Sequence, residues 1–346
     1  MKRKLLLLLC TIMFLASVVH GQWQSQDSGS IADFRGLSVV SRDVAWASGT
    51  RGTYVRTVDG GANWRVGNVP GAEKLDFRDV EAFDRNTAYL LSAGAGESSK
   101  IYKTTDGGDH WTLQYTNPRP KAFFDALAFW DANHGVALSD PVDGYFLIII
   151  TSDGGATWRQ VSPLNMPAAL PGEGAFAASG TCLVVEGKSN VWFATGGGAT
   201  ARVFRSADRG GTWKVATTPV NSRTKSSGIF SLAFRDAKHG VAVGGDYQKP
   251  SEAIDNIAIT ADGGRTWNSI AGFRPAGFRS AVAYVANRSG KTDGRLIAVG
   301  PSGSDYSVDD GKTWMNIDKV GYNSVAFAQG AGWAVGPKGR TAKYRQ

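Results

Sequence analysis

Short apolar runs at 52–56, 100–103, 146–150 and 201–205 read as β-strands, and each is followed by a polar octet and then a further strand-like run such as 158–161. The octet recurs six times: TVDGGANW (57–64), TTDGGDHW (104–111), TSDGGATW (151–158), SADRGGTW (206–213), TADGGRTW (260–267) and SVDDGKTW (307–314). Its pattern is [ST]-x-D-x-G-x-x-W, with successive tryptophans 47, 47, 55, 54 and 47 residues apart. A period near 45 to 50 residues is that of a four-stranded propeller blade. The octet is therefore expected to be a hairpin turn between the third and fourth strands. Asp59, Asp106, Asp153, Asp208, Asp262 and Asp309 would accept hydrogen bonds from backbone N–H groups of the tight loop, and glycine would take the positive-φ position. Trp64, Trp111, Trp158, Trp213, Trp267 and Trp314 would pack between neighbouring sheets. Six equivalent aspartates point to a turn rather than to a catalytic or metal site.

A second element lies earlier in each period, as in 37–49, 127–138, 232–245 and 325–336: apolar strand, polar turn, apolar strand. His134 and His239 share its D-A-x-H-G turn and His110 lies in an octet, so all three read as turn residues. Seven such inner pairs begin near Phe34, Phe77, Phe123, Phe176, Phe230, Phe278 and Tyr322, against six octets. After Gly336 the chain has room for one strand only (341–345), and Trp23-Gln24-Ser25 resembles the segment that follows each octet. The expected fold is thus all-β: a seven-bladed propeller of four-stranded antiparallel blades, the last closed by the N-terminal strand.

Met1-Lys2-Arg3-Lys4 followed by an apolar run of fifteen residues, Leu5 to Val19, reads as a signal peptide cleaved after Gly21, leaving one propeller domain over 22–346. Fifteen residues fall short of the roughly 20 that span a bilayer, so no transmembrane segment is expected after cleavage, and export to a periplasmic or extracellular compartment is. The mature chain would keep only Cys182, which excludes an intrachain disulfide. Its charge would fall from +8 to +5, weak for a nucleic-acid binder. An apolar share of 42% with 11% aromatics excludes wholesale disorder, and 44 glycines without a G-X-Y period suit a turn-rich β fold rather than collagen.

The six octets resemble Asp boxes, the bacterial neuraminidase repeat. Together with the D-x-x-H-G turn and the [WV]-A-V-G strand they resemble the exported propellers related to the photosystem II stability and assembly factor. The likeness covers essentially the whole mature chain. It implies a protein-binding or assembly scaffold, while Asp-box propellers also include glycoside hydrolases. The sialidase F-R-I-P motif appears here only as Phe34-Arg35-Gly36-Leu37, and no Tyr and Glu stand in recognisable nucleophile positions.

Function is expected on the rim opposite the octets, where the blade-to-blade connections run. Its ligand-binding candidates are Arg35, Arg78 and Arg279, recurring as Phe-Arg, with Arg119, Lys121, Arg223 and Lys225. Planar guanidinium groups suit carboxylates, so the expected partner is a protein or acidic peptide, with an anionic glycan as the second ligand class. Tyr247 with Glu252, and Asp140 with Asp143, are the carboxylate-bearing loop residues a hydrolase would draw on. The run TGGGAT (195–200) lacks G-x-G-x-x-G spacing and opens no βαβ unit, which excludes a nicotinamide cofactor. The octets share only one invariant carboxylate, where Ca²⁺ takes about six to eight oxygens. No metal, cofactor or catalytic residue is expected.

Overall fold

Alternating apolar strands separated by Gly- and Asp-rich turns assemble into seven antiparallel sheets in a computed structural model that describes residues 22–345. The expected signal peptide lies outside the described residues. Six sheets are meanders, and the innermost strands of all seven, Phe34–Val39, Phe77–Ala82, Phe124–Phe129, Leu183–Glu186, Ser227–Phe234, Ala281–Ala286 and Ser324–Ala328, surround the channel. Blade 5 pairs three strands in full, and a bridge between Ile259 and Asn268 stands in for its fourth. The closing blade draws on both ends of the chain: Gln22–Asp27 pairs with Arg340–Arg345 as its outermost strand.

Apolar side chains of one sheet pack against the next, so the core lies between blades. Trp46 and Tyr54 of blade 1 join Val80, Leu90 and Tyr102 of blade 2 in one cluster. The octet tryptophans seal these seams: Trp111 stands edge-on to Trp46 at 6.4 Å and to Tyr54 at 5.1 Å, and Trp64 edge-on to Trp333 at 6.4 Å.

The octet geometry follows from its residue types. In the first copy Asp59 Oδ1 accepts from the Asn63 amide at 2.9 Å and from Thr57 Oγ1 at 2.9 Å, while Thr57 Oγ1 accepts from the Gly61 amide at 2.8 Å. These donors stabilise the ionised carboxylate and hold Asp59, Asp153 and Asp262 down at about 2. The residue after the aspartate needs the left-handed region. Glycine occupies it in four copies, whereas Arg209 (φ 57°) and Asp310 (φ 60°) adopt it in the other two. His110, His134 and His239 each bond the aspartate of their own turn, at 2.7 to 2.9 Å.

One expected strand start is corrected. Blade 4 begins its innermost strand at Leu183, not near Phe176. The residues ahead of it, 174–182, lie across the channel mouth. The Ala175 amide donates to Asp140 Oδ1 of blade 3 at 2.8 Å, Arg78 of blade 2 donates to the Ala177 carbonyl at 3.3 Å, the Leu232 amide of blade 5 donates to the Thr181 carbonyl at 2.9 Å, and Ser179 Oγ donates to the Ser280 carbonyl beside blade 6 at 2.9 Å. The 55-residue octet spacing over blade 4 is the sequence trace of this insertion. The 54-residue spacing over blade 5 is that of the long loop between Asp246 and Ile257.

Candidate functional site

Bulges in the innermost strands build a cavity of about 560 Å³ on the rim opposite the octets. The ladder slips one residue between Phe34 and Gly36, Phe77 and Asp79, Phe124 and Ala126, and Ile229 and Ser231. The extra residue at each slip is Arg35, Arg78, Asp125 and Phe230, and all four line the cavity. A bulge leaves a residue unpaired and re-aims its side chain, which is how four different blades contribute to one site.

The cavity has a charged side and an aromatic side. Arg35 is half-buried, and its side chain makes no hydrogen bond or ion pair among the described residues. Burial and the neighbouring Arg78 guanidinium draw its pKa below the ordinary arginine value, which marks a cation under-compensated by its surroundings. Arg78 pairs with Asp76 at 2.7 Å. Beyond it Asp125 is buried, with Oδ2 lacking a hydrogen-bond partner. Desolvation and then the adjacent Asp140 carboxyl raise Asp125 well above the carboxylate range, and desolvation raises Asp140 too. On the aromatic side Phe176, from the inserted segment, stacks on Phe230 at 3.8 Å, Phe278 stands edge-on to Phe230 at 4.7 Å, and Tyr247 closes the edge at 6.1 Å.

The structure separates the three Phe-Arg arginines. Arg35 and Arg78 enter the cavity, but Arg279 does not converge with them. No bulge is present there: the strand of blade 6 begins only at Ala281, and Arg279 turns inward. Its side chain is fully buried, with Nε 2.6 Å and Nη2 2.5 Å from Asp305 Oδ2, and Nη1 donates to Ser302 Oγ at 2.9 Å. Arg119 lies beside a second cavity of about 370 Å³, shared with Asp143, and donates to Gln160 Oε1 at 2.8 Å. Lys121, Arg223 and Lys225 are exposed and form no ion pair among the described residues. Glu252 pairs with Lys249 at 3.2 Å. The glycines of 195–200 serve close backbone packing, since a Cβ on Gly196 would stand 2.5 Å from the Cα of Gly228. Among the described residues no group of three or more His, Cys, Asp or Glu side chains is placed to hold a metal ion, and no helix is long and apolar enough to cross a membrane.

Sequence reasoning placed Tyr247 on this rim but missed the three phenylalanines of the aromatic side and Asp125. The signal was present, because Phe123, Phe176, Phe230 and Phe278 all stand where an inner pair was expected to begin. They read as strand starts. The bulge at Phe230 and the insertion carrying Phe176 turn those two rings to the cavity, and Phe123 and Phe278 reach it from the connections just ahead of their strands.

Burial of acids around the channel has a consequence for stability. Asp79, on the innermost strand of blade 2, accepts from the Leu127 and Val80 amides at 2.8 Å each and has Glu81 two residues along its strand and Cys182 nearby, with no cation among the groups that set its ionisation. Desolvation, partly offset by those two hydrogen bonds, pushes Asp79 up to about 7, and desolvation with the Asp79 charge pushes Glu81 up to about 8. An acid whose folded pKa exceeds its unfolded value gives stability at low pH that is lost as the unfolded chain ionises first. Stability should therefore fall as pH rises from about 4 to about 8. The octet aspartates stay ionised throughout that window. Urea midpoints should decline from pH 4.5 to pH 8, and Asp79→Asn should flatten the decline. A midpoint rising over the same range contradicts this assignment.

No family model matches the sequence, and no curated protein matches it. Solved structures do. YCF48 bound to D1 peptide superposes with a TM-score of 0.63 at 17% identity, over 94% of this chain and 97% of that one. YCF48 from Cyanidioschyzon merolae gives 0.63 at 18%, over 93% and 98%. Virginiamycin B lyase from Staphylococcus aureus gives 0.64 at 13%, over 94% and 100%. The chain is similar to all three in fold. A scaffold shared with a lyase does not decide between binding and catalysis; the residues lining the cavity do.

Proposed function

We propose that the chain is an exported, non-catalytic propeller acting as a protein-binding, assembly-factor-like scaffold, its octets being Asp boxes, and that it takes an acidic segment of its partner on the rim opposite them. One observation carries this reading: the half-buried Arg35 guanidinium stands without a partner in a cavity of ligand size, beside Arg78. A desolvated arginine fork lacking its carboxylate has most to gain from an external one. YCF48 bound to D1 peptide supports it as a similar fold that carries a peptide. The hydrolase reading would draw on Asp125 and Asp140, but Asp140 Oδ1 is engaged in holding the Ala175 amide of the inserted segment.

The test is a fluorescence-anisotropy titration with a labelled peptide of alternating glycine and glutamate at about 50 and about 500 mM salt. Binding should weaken markedly at the higher salt, because the screening length on an open rim shrinks from about 14 Å to about 4 Å over that range. Arg35→Gln should remove most of it, and Arg159→Gln, on an exposed outer strand, should leave it unchanged. Equal binding by the two variants, or release of sugar from a sialoside that Arg35→Gln cannot process, overturns the reading.

A further inference from the structure

The aromatic side of the cavity narrows the ligand further. Resting on the acidic-partner reading, we infer that the segment recognised there carries an aromatic side chain next to its carboxylate, the acid meeting Arg35 and the ring meeting Phe176 and Tyr247.

Four aromatic side chains from four separate stretches of chain are gathered around one opening. Phe278 comes from the connection into blade 6, Phe230 from a bulge in blade 5, Tyr247 from the long loop of the same blade, and Phe176 from the insertion ahead of blade 4. Phe230 and Phe278 are buried by this packing, so they form the back of the wall. Phe176 is half-buried and Tyr247 is 48% exposed, and these two present ring surface to an incoming group. Apolar ring area left in contact with water at the edge of a cavity is what a second ring covers, in offset or edge-on geometry.

Core filling alone does not require this arrangement. The seams between blades already bury their own aromatics, as Trp46 with Tyr54 and Phe193 with Phe204 show, and the Phe176 cluster is a separate group of four residues with Ala178, outside those seams. The insertion that supplies Phe176 is itself fixed by hydrogen bonds to several blades, so the wall is preformed and its ligand meets little ordering cost. Charge complementarity gives the orientation. Arg35, on blade 1, is the cation without a partner, and the aromatic wall stands on blades 4 to 6, so a ligand bridging them needs an anion at one end and a ring at the other. A cavity of about 560 Å³ lies within the roughly 300 to 1,000 Å³ of small-ligand sites, which suits one or two residues of a peptide rather than a long segment.

The experiment is a peptide array presenting every pair of neighbouring residues in a fixed Gly-Ser frame, probed with the labelled protein. Pairs of Phe, Tyr or Trp with Asp or Glu should give the strongest signals, about tenfold above the same acids paired with alanine, as burial of one ring implies. Tyr247→Ala should erase the aromatic preference and keep the acid preference. Arg35→Gln should do the reverse. If acid–alanine pairs bind as well as acid–aromatic pairs, the inference fails and the acidic-partner reading stands. If acidic pairs show no preference over their amides, that reading fails as well. An aromatic preference that survives Tyr247→Ala and Phe176→Ala places the ring elsewhere and also overturns the inference.

Discussion

Removing residues 22–27 should lower the stability of the propeller by on the order of 5 kcal/mol, as expected from losing a six-residue ladder and its aromatic packing. Every residue from Gln22 to Asp27 pairs with one of Arg340–Arg345, and Trp23 packs between Tyr322 and Tyr344 at 5.4 and 5.2 Å while donating to Ser304 Oγ at 3.0 Å. Gln26 adds a link that crosses the seam. Its Oε1 accepts from Trp64 of blade 1 at 3.2 Å and from Trp333 of blade 7 at 2.9 Å. Without this strand the Arg340–Arg345 edge is left open, and an open edge invites pairing between chains. Urea unfolding and light scattering of the truncated protein measure both effects. A truncated chain as stable and as monodisperse as the full one contradicts closure by the N-terminal strand.

Arg279→Gln should be the most damaging single substitution among the rim arginines, at about 3–5 kcal/mol, because removing one member of a buried ion pair strands the other. Arg279 is fully buried and Asp305 nearly so, and Asp305 Oδ2 also accepts from the Ala276 amide at 3.2 Å. Asp305→Asn should cost stability in the same way. Arg35→Gln, lacking any partner to strand, should be close to neutral. Denaturant midpoints of the three variants decide this: an Arg279→Gln protein as stable as the wild type would return Arg279 to the rim.

These two expectations mark what the sequence makes legible. The closing strand is readable because six octets against seven inner pairs leave one blade short of its outer edge, and only the N-terminal segment remains to fill it. The octets are readable because their loop needs one acceptor, one hydroxyl and a left-handed residue at fixed offsets, and even Arg209 and Asp310 preserve the spacing. The rim is less readable. Phe34-Arg35, Phe77-Arg78 and Phe278-Arg279 look alike in sequence, yet a bulge aims the first two arginines into the cavity and its absence sends the third into blade 6. A bulge depends on how the partner strand pairs across the sheet, which a local dipeptide does not encode. The aromatic wall was hidden for a related reason. Phe176 sits at the expected strand position, but eight extra residues between octets displace the strand to Leu183 and carry the ring across the channel mouth.

The most direct measurement is a crystal structure of the propeller with the strongest peptide from the array. The peptide carboxylate should lie within hydrogen-bond reach of Arg35, at about 2.7–2.9 Å, and its ring against Phe176 and Tyr247, with residues 174–182 unmoved. A peptide bound on the octet rim or along an outer strand, with the cavity empty, would contradict it.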